Sequence, residues 1–360
     1  MKKLLHVRSM IIAAVMAAVM TVMPFCSARA YAAGPQSSFE YKKYPTHTEY
    51  MKDLSIRMSN VYNSISGKTD DAKIIPVPGI VKTYIRTDGE RYKSENYVPQ
   101  GICRVGRYIL VTAYDAKKKN NSVVYVIDTG KNELISTLTM PNRYHAGGIA
   151  FDGENIWMTG NTSDKYEGEP FVQYMEYDTF VSLIKKPLAE VSRDELSGHI
   201  TINNRPSFLE YDNGVLWVGT YAGSKESSEG YMNGYPIVKR NGKTTLNTLM
   251  YSIITGIDSS SQGADINGNN LYVSSSYNGM LYGVKTSFIT KYSIKSIKKG
   301  AETLSVSGKE LSRVEVPKMN EGILIEGPSI YVLFESGAKQ YKYCVMITDR
   351  ILALNRSLWN

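Results

Sequence analysis

Five stretches of this chain lie over one another without a gap. They are PQGICRVGRYILVTAYD from Pro99, AGGIAFDGENIWMTGNT from Ala146, PSFLEYDNGVLWVGTYA from Pro206, SQGADINGNNLYVSSSY from Ser261 and NEGILIEGPSIYVLFES from Asn320. Their starts stand 47, 60, 55 and 59 residues apart. A repeat of that period constrains the fold strongly, because each unit is one supersecondary motif that buries its face only against its neighbours. Each unit opens on a short strand, turns at Gly, Asn or Asp, and returns through a strand such as Ile156-Trp157-Met158 or Leu216-Trp217-Val218. Further alternating runs follow, as from Ser122 to Met140, where Asp128-Thr129-Gly130-Lys131 marks a hairpin turn. Four antiparallel strands per repeat make a propeller blade.

The fold class is therefore all-β, a five-bladed β-propeller over residues 72–360 with blades starting near 99, 146, 206, 261 and 320. A degenerate sixth blade from residues 72 to 98 is the alternative. Gly101, Gly148 and Gly263 suit innermost strands, where blades converge and room is short. Joining the first and last strands in one blade would close the ring and remove an exposed edge, and Ile80 to Thr87 is the predicted closing strand. The N-terminal extension, residues 33–71, differs: Tyr50, Met51, Leu54, Met58, Val61 and Ile65 recur at helical spacing. This predicts an amphipathic helix over about residues 46–66, capping the propeller or packing on its side.

Residues 1–32 read as a secretory signal peptide, with Lys2, Lys3 and Arg8 before an apolar run and small-x-small sites at Ala28 to Ala32. The expected location is extracellular, with no membrane-integral segment after signal removal. That leader carries four of the 42 basic residues and none of the 34 acidic ones, so its loss lowers the formal charge from +8 to +4. The remaining excess is dispersed, which argues against a nucleic-acid partner. Cys103 and Cys344 lack metal-site spacing and read as buried free thiols.

In an up-and-down blade the entry to the inner strand and the exit of the second strand share one end, so ten segments converge on a central mouth. The entries supply Gln100, Ser207, Gln262, Asn320 and Glu321, flanked by His145 and Arg205. The exits supply Tyr114, Asp115, Asn161, Tyr221, Ser276, Tyr277, Glu335 and Ser336. This polar and aromatic ring predicts binding of a small polar molecule, a glycan or a peptide without turnover. A rival reading makes Glu321, Glu335 and His145 catalytic, which requires a carboxyl pair with perturbed proton affinities. A third, an interaction scaffold, would use variable loops such as residues 224–235. No cofactor is expected; calcium would suit Glu321, Glu335 and Asp115, but no linear calcium loop occurs. Glu321 and Glu335 are equally far from Pro328 and are expected to face each other across the last inner hairpin.

The repeats resemble YVTN and quinoprotein-like propellers over about residues 80–360. The openings Gln100-Gly101, Gln262-Gly263 and Glu321-Gly322 also look like those of five-bladed glutamine cyclotransferases, whose acidic residue near the axis would correspond to Glu321. The tail LFESGAKQY followed by DRILALN is similar to the end of clostridial-type secreted propellers of unassigned activity.

Overall fold

The computed structural model describes residues 37–40, 42–65, 75–160, 169–223, 229–249, 251–277, 287–294 and 305–360. The leader reading of residues 1–32 lies outside them, as does Asn161. Five small sheets stand in a ring. Blade 1 runs outward through Tyr97–Val105, Tyr108–Asp115, Val123–Asp128 and Glu133–Thr139, with Leu188–Glu190 added in parallel. Blade 2 uses Ile149–Phe151, Asn155–Thr159, Phe171–Glu176 and Ser197–Thr201. Blade 3 uses Phe208–Asp212, Val215–Thr220, Gly230–Arg240 and Ser252–Ile257, with Ser305–Ser307 in parallel on its edge. Blade 4 uses Ser261–Asn267, Asn270–Ser276, Ser287–Ser293 and Lys309–Val316. Blade 5 uses Asn320–Glu326, Ser329–Phe334 and Arg350–Asn355.

The ring does close by joining the two ends of the chain, but the closing strand is Ile75–Pro76, which pairs with Arg350 and Ile351. The predicted closing segment instead forms its own hairpin, Thr83–Thr87 on Glu90–Ser94. A proline suits the outermost position, where no partner needs its missing N–H. Residues 75–98 thus supply that edge strand, the separate hairpin and the start of blade 1, and among the described residues no sixth blade forms.

The core is five wedges, one between each pair of neighbouring blades. Val105, Leu110 and Phe180 pack with Ile149 and Met158 between blades 1 and 2. Trp157 and Val172 meet Leu216 and Tyr235 between blades 2 and 3. Phe208, Trp217 and Met232 meet Leu271 and Val273 between blades 3 and 4. Tyr97, Ile109 and Tyr125 meet Leu333 and Ile351 where the ring closes. The fifth wedge joins blades 4 and 5 and also takes the N-terminal extension, whose Tyr50, Leu54 and Val61 pack with Ile330, Val332 and Trp359.

The extension is two helices, His47–Arg57 and Ser59–Ser64, rather than one over 46–66, because Met58 leaves helical geometry. Thr46 and Glu49 form a capping box that starts the first. Asp349 fastens the segment before it, accepting from the amides of Lys42, Lys43 and Tyr44 while bonding to Arg350 at 2.7 Å. Neither Asp349 nor Arg350 is exposed at all.

At the axis the inner strands nearly touch. A Cβ on Gly147 would lie 2.2 Å from the Ser207 carbonyl, and one on Gly148 2.4 Å from the Leu209 amide. The gap left among Gly101, Gly148, Gly263, Gly322 and their neighbours is about 10 Å³. That is at the lower limit for a single water, so the axis is plugged and the mouth has a floor.

Candidate functional site

The inner hairpins of blades 1, 4 and 5 share an irregularity that aims side chains into the mouth. Their register shifts between Pro99 and Ile102, between Ser261 and Gly263, and between Asn320 and Ile323. Each is a β-bulge at a Gln-Gly or Glu-Gly pair. A bulge frees one residue from the ladder and turns it. Gln100, Gln262 and Glu321 are therefore presented together by three blades adjacent around the ring. Second-strand hydroxyls fasten these openings to the next blade: Thr112 accepts from the Gly101 amide and donates to the Ala146 carbonyl at 2.6 Å. Ser274 likewise donates to the Glu321 carbonyl.

Glu321 meets Glu335, as expected from the sequence, but by a different route. The turn falls at Gly327-Pro328, with Glu326 opposite Ser329. Neither glutamate is a ladder partner of the other: Asn320 pairs with Phe334, and Glu335 lies past the strand end, its amide bonded to the Met319 carbonyl. The bulge brings the two carboxyl groups into a hydrogen bond. Glu321 is 2 % exposed and Glu335 5 %.

Burial favours the neutral form of both. It lifts Glu335 to about 7 and, with the charge of Glu335 beside it, holds Glu321 well above the usual carboxylate range. The surrounding donors are unequal. Gln100 Nε2 donates to Glu335 Oε2 at 3.3 Å, and the Tyr341 hydroxyl also donates to Glu335. Glu321 receives Gln262 Nε2 at 3.1 Å on Oε1. Glu335 is thus the better stabilised anion, and the proton between them belongs on Glu321. No cation pairs with either carboxylate among the described residues; Lys339 is taken by Glu95 at 3.2 Å.

Tyrosines rim the pair. Tyr114, Tyr221 and Tyr341 are each partly buried, and burial together with the glutamate charges raises each phenol's proton affinity. Gln340 donates to the Tyr114 hydroxyl at 3.3 Å. His145 packs against Tyr114 with ring centroids 4.2 Å apart and the planes tilted by 31°. Burial, then the positive charges of Arg205 and Lys118, push His145 down to about 4, so its ring is neutral at pH 7. Its Nδ1 is buried without a hydrogen-bond partner among the described residues. His145 is not bonded to the glutamate pair, and it joins the site through Tyr114.

The other sequence candidates serve the walls. Asp115 is buried and accepts from the Lys117 and Asn120 amides and the Asn120 side chain, so it shapes a loop. Ser336 accepts from the Thr348 amide inside blade 5. Asn320 donates to the Phe288 carbonyl and ties blade 5 to blade 4. Ser207 accepts from the Tyr221 amide, and Tyr277 donates to Asp258 at 2.5 Å. Ser276 is buried, its amide bonded to the Ser260 carbonyl. Arg205 is exposed at the mouth's edge. Among the described residues no group of three or more His, Cys, Asp or Glu is arranged to hold a metal. Cys103 and Cys344 are free and buried.

Two features escaped the sequence reading. Tyr341 stands after the blade 5 hairpin in a short helical turn, Lys339–Tyr341, outside the repeat columns. A second carboxyl pair, Glu210 and Asp265, lies at the same column of neighbouring blades, five residues into the aligned units. Asp265 accepts from the Ile325 amide at 2.7 Å and Glu210 from the Ile266 amide at 3.5 Å, so each clasps the next blade. Burial raises both, Asp265 to about 7. The shared column was the signal that would have found them.

The class defined by fold and site is a five-bladed β-propeller with a carboxyl pair at its plugged mouth. No family model matches the sequence, and no curated protein matches it. Kinship with the YVTN, quinoprotein-like or glutamine cyclotransferase propellers therefore has no support beyond the motifs quoted above.

Proposed function

We propose that this propeller binds a small polar ligand, such as a glycan or peptide group, at its central mouth without turning it over. The observation that carries the reading is the hydrogen-bonded Glu321–Glu335 pair, which is neutralised by a proton rather than by a cation of the described residues. With its proton held in the internal hydrogen bond, such a pair offers a ligand its carboxyl oxygens as acceptors. Gln100 and Gln262 orient it, and Tyr114, Tyr221 and Tyr341 supply aromatic surface around it. The leader-like residues 1–32 are the sequence's support for an extracellular site of action.

A second reading, acid–base catalysis of the hydrolase, lyase or glutamine cyclotransferase type, is favoured by one observation. Glu335 is lifted to about 7, close to the working pH that general catalysis prefers. A screen of glycans and peptides on wild type, Glu321→Gln and Glu335→Gln, with mass spectrometry of each recovered ligand, separates the readings. Ligands held by wild type, weakened by both variants and recovered intact support binding. Chemically altered ligands support catalysis. Hits bound equally by all three proteins remove the mouth from consideration.

A further inference from the structure

On the third and fourth strands of blade 3, outward from its inner hairpin, lies a cavity of about 390 Å³ lined by Asn203, Tyr231, Asn233, Tyr251, Ile253 and Thr255 and also by Glu229 and Gly230. Its origin is geometric. Side chains alternate between the two faces of a strand. Met232 and Ile254 therefore point into the wedge with blade 4, while Tyr231, Asn233, Ile253 and Thr255 share the opposite face. That face looks toward blade 2, where Tyr235 joins Trp157 and Tyr174 in the core and Tyr251 packs at its edge. The cavity lies over that face.

The wall of this cavity is fixed by hydrogen bonds. The Tyr235 hydroxyl accepts from the Asn203 amide at 3.1 Å and from Asn233 Nδ2 at 3.2 Å, and it donates to Asn204 Oδ1 at 2.9 Å. Tyr251 is braced on the Tyr235 ring with centroids 5.4 Å apart. With the hydroxyl's capacity used, Asn233 Oδ1 is buried without a donor among the described residues, in a side chain only 4 % exposed. A buried acceptor without a partner is costly and rare, and it commonly marks a place where an absent molecule belongs.

The lining chemistry selects the class of that molecule. No Lys, Arg or His lines the cavity, so an anion would enter uncompensated. A purely apolar ligand would strand the amides of Asn203 and Asn233 and the hydroxyl of Thr255. Two phenols, two amides, one hydroxyl, the Glu229 carboxylate as a further acceptor and an aliphatic side chain match a ring whose edge carries hydroxyls and whose faces carry C–H groups. The volume lies in the lower part of the range of about 300–1,000 Å³ for small-ligand sites. We infer that this cavity binds a neutral sugar residue, at a site separate from the mouth.

The test titrates the full-length protein with the methyl glycosides of glucose, galactose, mannose and N-acetylglucosamine, read by saturation-transfer NMR. At least one should bind saturably, weakened about tenfold by Tyr231→Ala and measurably by the isosteric Thr255→Val. Glu321→Gln, at the mouth, should leave that binding unchanged. Thermal unfolding confirms that each variant is folded, and Thr255→Val serves if Tyr231→Ala is not. The inference is overturned if no glycoside gives a saturable signal, or if folded variants of the cavity bind like wild type. Loss of binding in Glu321→Gln alone overturns it too, by assigning the sugar to the mouth.

Discussion

The proton held between Glu321 and Glu335 has a consequence for stability that Glu321→Gln isolates. A carboxyl whose folded-state proton affinity is raised stays protonated in the folded protein after the unfolded chain has released its proton. Stability is then fully present below the unfolded value, near 4.5, and falls as pH rises toward the folded value. Glu335 is lifted to about 7 and Glu321 is held well above the usual carboxylate range, so both keep protons in the folded protein that the unfolded chain has released. Each retained proton costs about 1.4 kcal/mol per pH unit. Glutamine at 321 still offers an N–H to Glu335 and a carbonyl to Gln262, but it cannot ionise, which halves the pair's slope. From pH 5 to pH 7 the wild type should therefore lose more stability than the variant, by up to about 1.4 kcal/mol for each pH unit over which Glu321 keeps its proton. Glu210 and Asp265 act with the same sign in both proteins and cancel in the difference. Urea unfolding at pH 5, 6 and 7 reads it directly. Parallel curves for the two proteins would refute a shared proton at the mouth.

Gly148→Ala should lower stability by several kcal/mol, since its Cβ would meet the Phe208–Leu209 backbone at 2.4 to 2.8 Å and force blades 2 and 3 apart; thermal unfolding checks it. Asp349→Ala should leave the Arg350 charge without its carboxylate and free the amides of Lys42 to Tyr44, at a cost of about 3–5 kcal/mol. Trypsin should then cut at Lys42 or Lys43 faster than in wild type. Asp265→Asn keeps an acceptor for the Ile325 amide while removing a titrating group, so its advantage over wild type should grow between pH 5 and pH 7.

The ring was legible because five aligned units carry the same turn and strand grammar, and packing between blades demands that repetition. The site was half legible. Alignment columns placed Gln100, Gln262 and Glu321 together, but the bulges that turn them inward are backbone events that residue types only hint at through the following glycine. Asp115 and Ser336 sat in the right columns yet bond to their own walls, because a column gives a residue's height in the blade and not its direction. Tyr341 belongs to no column and reaches Glu335 only through the fold of the tail. Ile80 to Thr87 has the better strand pattern, but Ile75–Pro76 lies where the ring closes, and the stronger strand made its own hairpin. The helix over residues 46–66 breaks at Met58, where the backbone leaves helical geometry, and its two halves bury Tyr50 and Val61 in the same cluster as blade 5.

The most direct measurement of the central claim is a carbon-13 NMR titration of the glutamate side-chain carboxyls, assigned with Glu321→Gln and Glu335→Gln. One resonance should titrate near pH 7 and a second should remain protonated above it, and each should vanish in its own variant. If both carboxyls titrate together between pH 4 and pH 5, no proton is shared at the mouth and the account fails.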